Sequence, residues 1–254
     1  MSFEGARVWV TGASDGIGAA LSTELAARGA RVAISARRVE RLDQLCAANE
    51  GLVPVPLDVG DREAVLAAEA TVRERLGGLD LAVFNAGTWQ QMDVRAWDSE
   101  LVRRHVDTNL MGLVHGIESV LPAMRRAGAG HIAGMASVAG YRGFSGSEAY
   151  GATKAAQINM LESLRVDLRP LGIDVSTICP GFVRTDLIDA NRFRMPWIVE
   201  PDDAARRIAD GLDRRKAEIV FPWQMMLAMK TARLVPVRPW TALMSRYATT
   251  RRGQ

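Results

Sequence analysis

The sequence predicts an α/β fold in which a doubly wound, parallel, seven-stranded sheet lies between two layers of helices. Short, nearly continuous apolar segments alternate with longer amphipathic segments along the chain. This pattern is typical of strands that are buried on both faces and joined by helical crossovers. The first apolar segment, Arg7–Thr11, also leads directly into a glycine-rich turn at Gly12–Gly18. Such a turn between a first strand and a first helix is typical of a dinucleotide-binding domain.

Each strand is predicted from an apolar run, and each helix from the amphipathic interval that follows the run. The strands are predicted at Arg7–Thr11, Arg31–Ser35, Leu52–Leu57, Leu79–Asn85, His131–Ala136, Asp174–Ile178 and Glu218–Phe221. Helices are predicted near residues 16–28, 38–49, 61–76, 97–126, 148–169 and 201–214. Alternating strands and helices imply parallel strands with right-handed crossovers. We therefore expect one Rossmann-like catalytic domain over residues 1–222, continued by a basic, apolar extension over residues 223–254.

Composition excludes several classes of protein. Of the 254 residues, 48% are hydrophobic and 24% are charged, which is ordinary for a globular domain. Cys46 and Cys179 lie far apart, and His105, His115 and His131 are not grouped with cysteines or carboxylates, so we expect neither a disulfide nor a metal site. No basic segment followed by an apolar run marks a signal peptide, and no run of about 18 apolar residues marks a membrane span. A cytoplasmic enzyme with a small-molecule substrate, not a nucleic-acid partner, is expected.

The last part of the chain is unusually basic. Residues 219–254 contain no Asp or Glu but carry six basic residues, so this part is +6 and the remainder −3 within a net charge of +3. A basic amphipathic tail can lie on an anionic membrane surface. It can equally pack on its own domain or on a neighbouring subunit, and the sequence favours packing. The basic residues are Lys230, Arg233, Arg238, Arg246, Arg251 and Arg252.

Tyr150 and Lys154 are four residues apart, so they share one face of the predicted helix. A nearby ammonium favours a phenolate and should lower the pKa of Tyr150 from its ordinary value of about 10. A tyrosine with such a pKa can transfer a proton near neutral pH. Ser137 precedes Tyr150 by thirteen residues, at the end of the fifth predicted strand.

The glycine-rich turn is predicted to bind the phosphates of a dinucleotide. Its glycines permit a tight turn and close approach of the backbone, and the next helix presents free N–H groups to the pyrophosphate. The alternative is a purely structural connection between strand and helix. The predicted binding residues are Gly12, Ser14, Gly16, Ile17 and Gly18.

The end of the second strand predicts which dinucleotide is bound. NAD-binding folds usually place an acid there for the ribose 2′-hydroxyl, but this chain has Ala36-Arg37-Arg38. A guanidinium can bind a 2′-phosphate through paired hydrogen bonds, so we expect NADP(H). Two observations weigh against this prediction. The arginines could simply begin a solvated helix, and Asp15 in the glycine-rich turn disfavours a further anion nearby.

On these motifs the chain resembles the short-chain dehydrogenase/reductase family in its single-domain form. The resemblance covers roughly residues 5–222 and depends on several motifs in the order in which the family has them. Each motif is weak alone, whereas the set at these spacings is specific. The motifs are Thr11-Gly12-x-x-x-Gly16-x-Gly18, Asn85-Ala86-Gly87, Asn109, Ser137, Tyr150-x-x-x-Lys154 and Pro180-Gly181.

The resemblance implies four catalytic residues. Tyr150 would protonate the carbonyl oxygen during reduction, and Ser137 would donate a hydrogen bond to the same oxygen. Lys154 would lower the pKa of Tyr150 and hold the nicotinamide ribose, while Asn109 would position a water that links Lys154 to solvent. The resemblance also implies further cofactor contacts from Asp58, Val59, Asn85, Ala86, Gly87, Pro180, Gly181, Val183 and Thr185.

Three loops are expected to form the substrate site beyond the carboxyl ends of the strands. Their aromatic and apolar residues would bury a hydrophobic substrate. The alternative is that several of them belong to the core or to a subunit interface. The candidates are Trp89, Tyr141, Phe144, Phe193, Met195, Trp197 and Ile198.

The sequence therefore predicts an NADP(H)-dependent oxidoreductase that interconverts a ketone or aldehyde and an alcohol. An NAD-dependent alcohol dehydrogenase is the related alternative, and an NADP-binding sensor or scaffold without turnover is the alternative from another class. The family resemblance implies a homodimer or homotetramer formed through the helices near residues 97–126 and 148–169. The last strand continues into Phe221-Pro222-Trp223 instead of the Asp-Gly-Gly of acyl-carrier-protein reductases, which argues against fatty-acid synthesis.

Overall fold

The computed structural model, which describes residues 2–189 and 195–252, contains one parallel sheet of seven strands. The strand order is β3-β2-β1-β4-β5-β6-β7, and every neighbouring pair is parallel. The predicted doubly wound α/β fold is thereby confirmed. The strands are β1 Arg7–Thr11, β2 Arg31–Ser35, β3 Leu52–Pro54, β4 Leu81–Phe84, β5 Gly130–Met135, β6 Ile173–Pro180 and β7 Glu218–Phe221.

Helices cover both faces of this sheet because successive strand residues point to opposite sides. Val8 and Val10 of β1 belong to the core under one helical layer, and Trp9 belongs to the core under the other. The first layer contains α1 Gly16–Ala27, α2 Val39–Ala48 and α8 Pro201–Asp213. The second contains α3 Arg62–Leu76, α5 Gly112–Ala127 and α6 Glu148–Leu168.

The strand order reverses between β1 and β4, which lie side by side at the centre of the sheet. From this point the chain builds outward in both directions, so the turns after β1 and β4 diverge and leave a crevice. The turn after β1 holds Gly12, and the turn after β4 holds Asn85. This crevice is where an α/β sheet of this topology binds its ligand.

The helix predicted near residues 97–126 is interrupted. It consists of α4 Ser99–His105, a π-helical turn Val106–Met111, and α5. In the π turn the N–H of Gly112 donates to the carbonyl of Asp107, five residues earlier. Such turns insert one extra residue into a helix and often occur at functional sites. Asn109 lies within this turn.

Two helices follow β7, where no element was predicted: α9 Trp223–Leu234 and α10 Val237–Arg252. One face of α9 is buried through Met225 and Met229. The ring of Trp240 in α10 packs edge-on against Phe144 with 5.5 Å between centroids. These contacts show that part of the extension packs on its own domain. Within the described ranges, no helix combines the length and the apolar character needed to span a membrane.

Candidate active site

An open cleft of about 570 Å³ lies at the carboxyl ends of the central strands. It brings together the glycine-rich turn, the arginines after β2 and the residues that follow β3 to β6. All the residues predicted to bind the cofactor line it, as do Ser137, Tyr150, Lys154 and Trp89. The lining includes Gly12, Ser14, Gly16, Ile17, Gly18, Arg37, Arg38, Asp58, Val59, Asn85, Ala86, Gly87, Pro180, Gly181, Val183 and Thr185.

The glycine-rich turn is too tightly packed for side chains. A Cβ atom added to Gly12 would lie 2.6 Å from the Cα of Ala86, and one added to Gly18 would lie 2.2 Å from the carbonyl oxygen of Gly12. Gly12 also has a φ of +67°, which favours glycine. The turn therefore has no side chains at Gly12 and Gly18, so a ligand can approach the backbone beside the N-terminus of α1. Free N–H groups and the helix dipole favour a phosphate there. A dinucleotide fits this cradle.

The two arginines after β2 are held differently. Arg38 donates from Nη2 to the hydroxyl of Ser14 at 3.0 Å and faces the carboxylate of Asp15 at 3.5 Å. The side chain of Arg37 is 75% exposed, and its Nη1 is 3.9 Å from the carboxylate of Asp58. At that distance and exposure the pair contributes little stability. Arg37 is therefore the less constrained cation at this end of the cleft.

Ser137, Tyr150 and Lys154 meet at the other end of the cleft. Ser137 follows β5, and its hydroxyl lies near the phenol of Tyr150 on α6, where it acts to lower the pKa of that phenol. The Nζ of Lys154 lies 5.5 Å from the centroid of the Tyr150 ring. The predicted grouping of a phenol, a hydroxyl and an ammonium is therefore present in the structure.

The predicted direction of the Tyr150 pKa is wrong. Burial raises the pKa of Tyr150 to about 12, although the Ser137 hydroxyl acts in the opposite direction. Burial also lowers the pKa of Lys154 to about 7. The sequence argument considered only the attraction between the two groups, whereas loss of water disfavours the charged form of each. Tyr150 is consequently a neutral phenol at neutral pH, the form that can donate a proton.

Lys154 is buried, with 2% of its surface exposed. Its ammonium donates to the carbonyl oxygen of Met135 at 2.6 Å and to Oε1 of Gln157 at 3.0 Å. Gln157 in turn donates from Nε2 to the backbone carbonyl of Asn109 at 2.5 Å. Sequence reasoning missed Gln157. The available signal was a polar residue three positions after Lys154, on the same helical face.

Asn109 anchors the loop after β4. Its Oδ1 accepts from the N–H of Thr88 at 2.7 Å, and its Nδ2 donates to the carbonyl of Thr88 and to Oγ1 of Thr153, each at 3.1 Å. The side chain is completely buried. Asn109 therefore joins the π turn to the loop carrying Trp89 and to α6.

His105 is a second residue that sequence reasoning missed. It is completely buried, and its ring lies edge-on to Tyr150 with 6.5 Å between centroids. Its Nδ1 donates to the carbonyl of Leu101 at 2.8 Å, which leaves Nε2 to accept from the N–H of Gln90 at 3.1 Å. His105 therefore holds the loop after β4 against α4.

The predicted substrate residues do not all lie together. Trp89 lines the cleft and packs edge-on against Tyr150 with 5.1 Å between centroids. Tyr141 is placed outside the cleft because its buried hydroxyl donates to Glu218 of β7. Phe144 packs on Trp240 instead of lining the cleft. We therefore leave Tyr141 and Phe144 out of the proposed site.

The segment after Thr185 supplies apolar groups that sequence reasoning overlooked. A short helix, α7 Asp186–Asp189, follows Thr185, and its Leu187 and Ile188 line the cleft. Trp197 is 48% exposed, and neither it, Met195 nor Ile198 belongs to the cleft lining. Phe193 lies outside the described residues.

Known proteins resemble the chain over most of its length. A model of the short chain dehydrogenase family matches residues 6–195. An uncharacterized oxidoreductase of Myxococcus xanthus is 41% identical over 231 residues, which cover 89% of this chain and 91% of that protein. A farnesol dehydrogenase of Aedes aegypti is 39% identical over 190 residues, which cover 70% of this chain and 78% of that protein.

Several solved structures have the same fold as this chain. A short-chain dehydrogenase from Streptomyces avermitilis superposes with a TM-score of 0.80 at 29% identity and 98% coverage of each chain. One from Burkholderia cenocepacia, in complex with NADP, has a TM-score of 0.77 at 28% identity, with 87% of this chain and 96% of that chain covered. A third from Burkholderia phymatum, in complex with NAD, supports the fold with a TM-score of 0.83 at 24% identity, covering 91% of this chain and 93% of that one.

Two of these structures contain a nicotinamide dinucleotide, NADP in the Burkholderia cenocepacia protein and NAD in the Burkholderia phymatum protein. The family match spans the sheet from β1 to β6 and includes the turn with Gly12 and the helix with Tyr150 and Lys154. The chain is an oxidoreductase that belongs to the short-chain dehydrogenase/reductase family.

Proposed function

We propose that this protein is an NADP(H)-dependent oxidoreductase that interconverts a ketone or aldehyde and an alcohol. The observation that carries the proposal is the meeting of the Ser137 and Tyr150 hydroxyls at the inner end of the dinucleotide cleft, with Lys154 buried beside them. NADPH, when bound, supplies the hydride. Tyr150 donates a proton to the carbonyl oxygen, and Ser137 donates a hydrogen bond to the same oxygen as its negative charge develops.

The preference for NADP(H) is supported by the cations after β2. Arg37 and Arg38 both line the cleft, and the chain has no acid at the end of β2 to receive a ribose hydroxyl. Ser14, the partner of Arg38, adds a hydroxyl donor at the same place. A 2′-phosphate would bind to this group through charge-assisted hydrogen bonds.

A hydrophobic substrate is supported by the apolar side of the cleft. Trp89 lies against Tyr150, and Leu187 and Ile188 face the cleft from α7. Such surfaces stabilise apolar ligands by removing their surface from water. The Aedes aegypti relative is named a farnesol dehydrogenase, and we propose an apolar alcohol or carbonyl compound for this chain as well.

A homo-oligomer formed through the middle of the chain is part of the proposal. Val166 on α6 is 72% exposed, and Leu171 just beyond this helix is 43% exposed. Large apolar groups left exposed on a helix face are candidates for burial against a second copy. This surface is one of the two that the family resemblance implies.

A surface for anionic lipid is a second proposed property, and it is supported by α9. Trp223, Leu227 and Leu234 lie on one face of this helix and are 63%, 56% and 84% exposed. They lie opposite its buried face, so α9 is apolar on both sides. A basic helix that exposes an apolar face can lie in a membrane interface.

The enzyme proposal is tested with Tyr150→Phe. Without the phenolic proton donor, kcat for NADPH-dependent reduction of a panel of apolar carbonyls should fall by about a thousandfold. The affinity for NADPH, measured by fluorescence titration, should remain nearly unchanged. Tyr141→Phe is the matched control because it removes a buried hydroxyl outside the cleft.

Turnover that survives Tyr150→Phe would refute the proposed mechanism. Tight NADPH binding without turnover of any carbonyl by the wild-type protein would instead favour the alternative of a sensor or scaffold. The complete set of Asn109, Ser137, Tyr150 and Lys154 favours the enzyme.

A further inference from the structure

The side chain of Gln157 lies between two parts of the candidate active site. It is on α6, three residues after Lys154, and only 1% of its surface is exposed. Its Oε1 accepts from the Lys154 ammonium at 3.0 Å, and its Nε2 donates to the Asn109 carbonyl at 2.5 Å. Because Nε2 is directed at a carbonyl, which cannot donate, the hydrogen-bond network fixes the amide with its oxygen toward Lys154.

The contacts of Lys154 leave one direction for the cofactor. An ammonium has three N–H groups. Two of them are directed at the carbonyl of Met135, at the end of β5, and at Gln157. Lys154 also lines the cleft, where a Cβ added to Gly87 would lie 3.7 Å from its Nζ. Two fixed acceptors behind the ammonium therefore direct its third N–H toward the cleft.

Burial makes these acceptors important for the charge of Lys154. Removing an ammonium from water favours its neutral form, and the pKa of Lys154 is lowered to about 7 by burial. Hydrogen bonds from a charged donor to carbonyl oxygens act in the opposite direction. The other titratable groups that face Lys154 among the described residues are Tyr150 on α6 and Cys179 on β6. Gln157 is thus a neutral acceptor that stabilises the charged lysine.

We propose that Gln157 is a positioning residue, which keeps Lys154 charged and directed at the cofactor by tying it to the backbone of the π turn. This inference rests on the proposed function of the cleft. The family resemblance implies that Asn109 acts on Lys154 through a water, and the Gln157 amide adds a direct link between the Asn109 carbonyl and the Lys154 ammonium. An amide neither takes up nor releases a proton near neutral pH, so the link orients Lys154 without conducting protons.

The lysine content of the chain permits a direct test that needs no substrate. The sequence contains three lysines, Lys154, Lys216 and Lys230. Protein labelled with carbon-13 at lysine Cε should show three resolvable NMR signals, and Lys216 and Lys230 serve as internal references. The titration midpoint of Lys154 is measured in the wild type and in two variants of nearly the same size, Gln157→Met and Gln157→Glu.

The two variants should move the Lys154 midpoint in opposite directions. Gln157→Met removes the acceptor, and the midpoint should fall by about one pH unit. Gln157→Glu replaces a neutral acceptor with a charged one, and the midpoint should rise even though the hydrogen bond to the Asn109 carbonyl is lost. Gln44→Met makes the same chemical change on the exposed face of α2 and should leave the Lys154 midpoint unchanged.

The pH profile of kcat gives the second readout. If charged Lys154 is needed, activity is present below its pKa and is lost as pH rises through it. The pH at which activity is lost, the basic limb of the profile, should be lower in Gln157→Met than in the wild type. In Gln157→Glu it should equal or exceed the wild-type value. If both variants lower the melting temperature but leave the Lys154 midpoint and the limb in place, Gln157 is only structural and the inference fails. A wild-type protein without turnover would refute the proposed function, whereas the NMR titration would still decide the role of Gln157.

Discussion

The two arginines after β2 illustrate how neighbouring residues of one type can differ in function. Arg38 is engaged by Ser14 and by the carboxylate of Asp15, whereas Arg37 is largely exposed and has only a distant carboxylate in Asp58. A guanidinium that already holds a carboxylate must give up part of that interaction to bind a phosphate. Arg37 can bind a 2′-phosphate with little rearrangement, so we expect it to determine the choice between NADPH and NADH.

Arg37→Ala should therefore weaken NADPH binding by about tenfold and leave NADH binding nearly unchanged. Fluorescence titration with each cofactor measures both constants. Arg41→Ala, which removes an exposed arginine of α2 outside the cleft lining, is the control. An equal loss of affinity for both cofactors would mean that Arg37 supports the loop instead of binding the 2′-phosphate. No loss of affinity for either cofactor would mean that Arg38 determines the preference for NADPH, or that the enzyme is NAD-dependent.

At the scale of elements, the regular strands and helices could be predicted from the sequence, but the π turn could not. An apolar run such as Val8-Trp9-Val10 predicts a strand that is buried on both faces. The pairing of β1 with β2 and with β4 confirms this strand. The π turn depends on Asn109 reaching Thr88 and Thr153, residues distant in sequence. Helical periodicity does not record such contacts. For the same reason Tyr141 was predicted at the substrate site, although its partner Glu218 comes from β7.

The pairing of β5 with β6 encloses a histidine that should make stability depend on pH. His131 is 1% exposed; its Nε2 donates to the hydroxyl of Ser176 at 2.8 Å, and that hydroxyl donates to the Lys216 carbonyl. Its Nδ1 is buried without a hydrogen-bond partner in the described part of the chain. A second proton would therefore have no acceptor. Burial accordingly lowers the pKa of His131 to about 4, against an ordinary value of about 6.5.

Because the folded pKa is depressed, the unfolded chain binds the extra proton more readily. The contribution of His131 to stability is complete above pH 6.5 and is lost as pH falls toward 4. His131→Gln keeps a donor for Ser176 but cannot titrate. Its free energy of unfolding should fall less steeply over this range, by up to about 3 kcal/mol relative to the wild type. Urea unfolding at several pH values measures this difference, and parallel curves for the two proteins would contradict it.

At the scale of the whole molecule, the C-terminal helices unite an apolar surface with positive charge. Five of the large apolar residues exposed in the described chain lie between residues 223 and 243: Trp223, Leu227, Leu234, Val237 and Leu243. The basic residues Arg233 and Arg238 are exposed among them. A twofold contact between copies would bring these like charges together, whereas an anionic lipid surface complements both the charge and the apolar groups.

Wild-type protein should therefore float with vesicles that contain phosphatidylglycerol and stay behind with pure phosphatidylcholine. Trp223→Ser combined with Leu227→Ser removes two apolar groups from the exposed face of α9, and partition onto anionic vesicles should fall by at least about tenfold. The matched control is Val94→Ser combined with Trp97→Ser, which removes two residues that are 51% and 60% exposed before α4. High salt should weaken flotation because exposed charges are screened. If the α9 variant floats like the wild type, the exposed face of α9 is not a lipid surface. If neither protein floats and the α9 variant no longer self-associates, that face is an interface between copies.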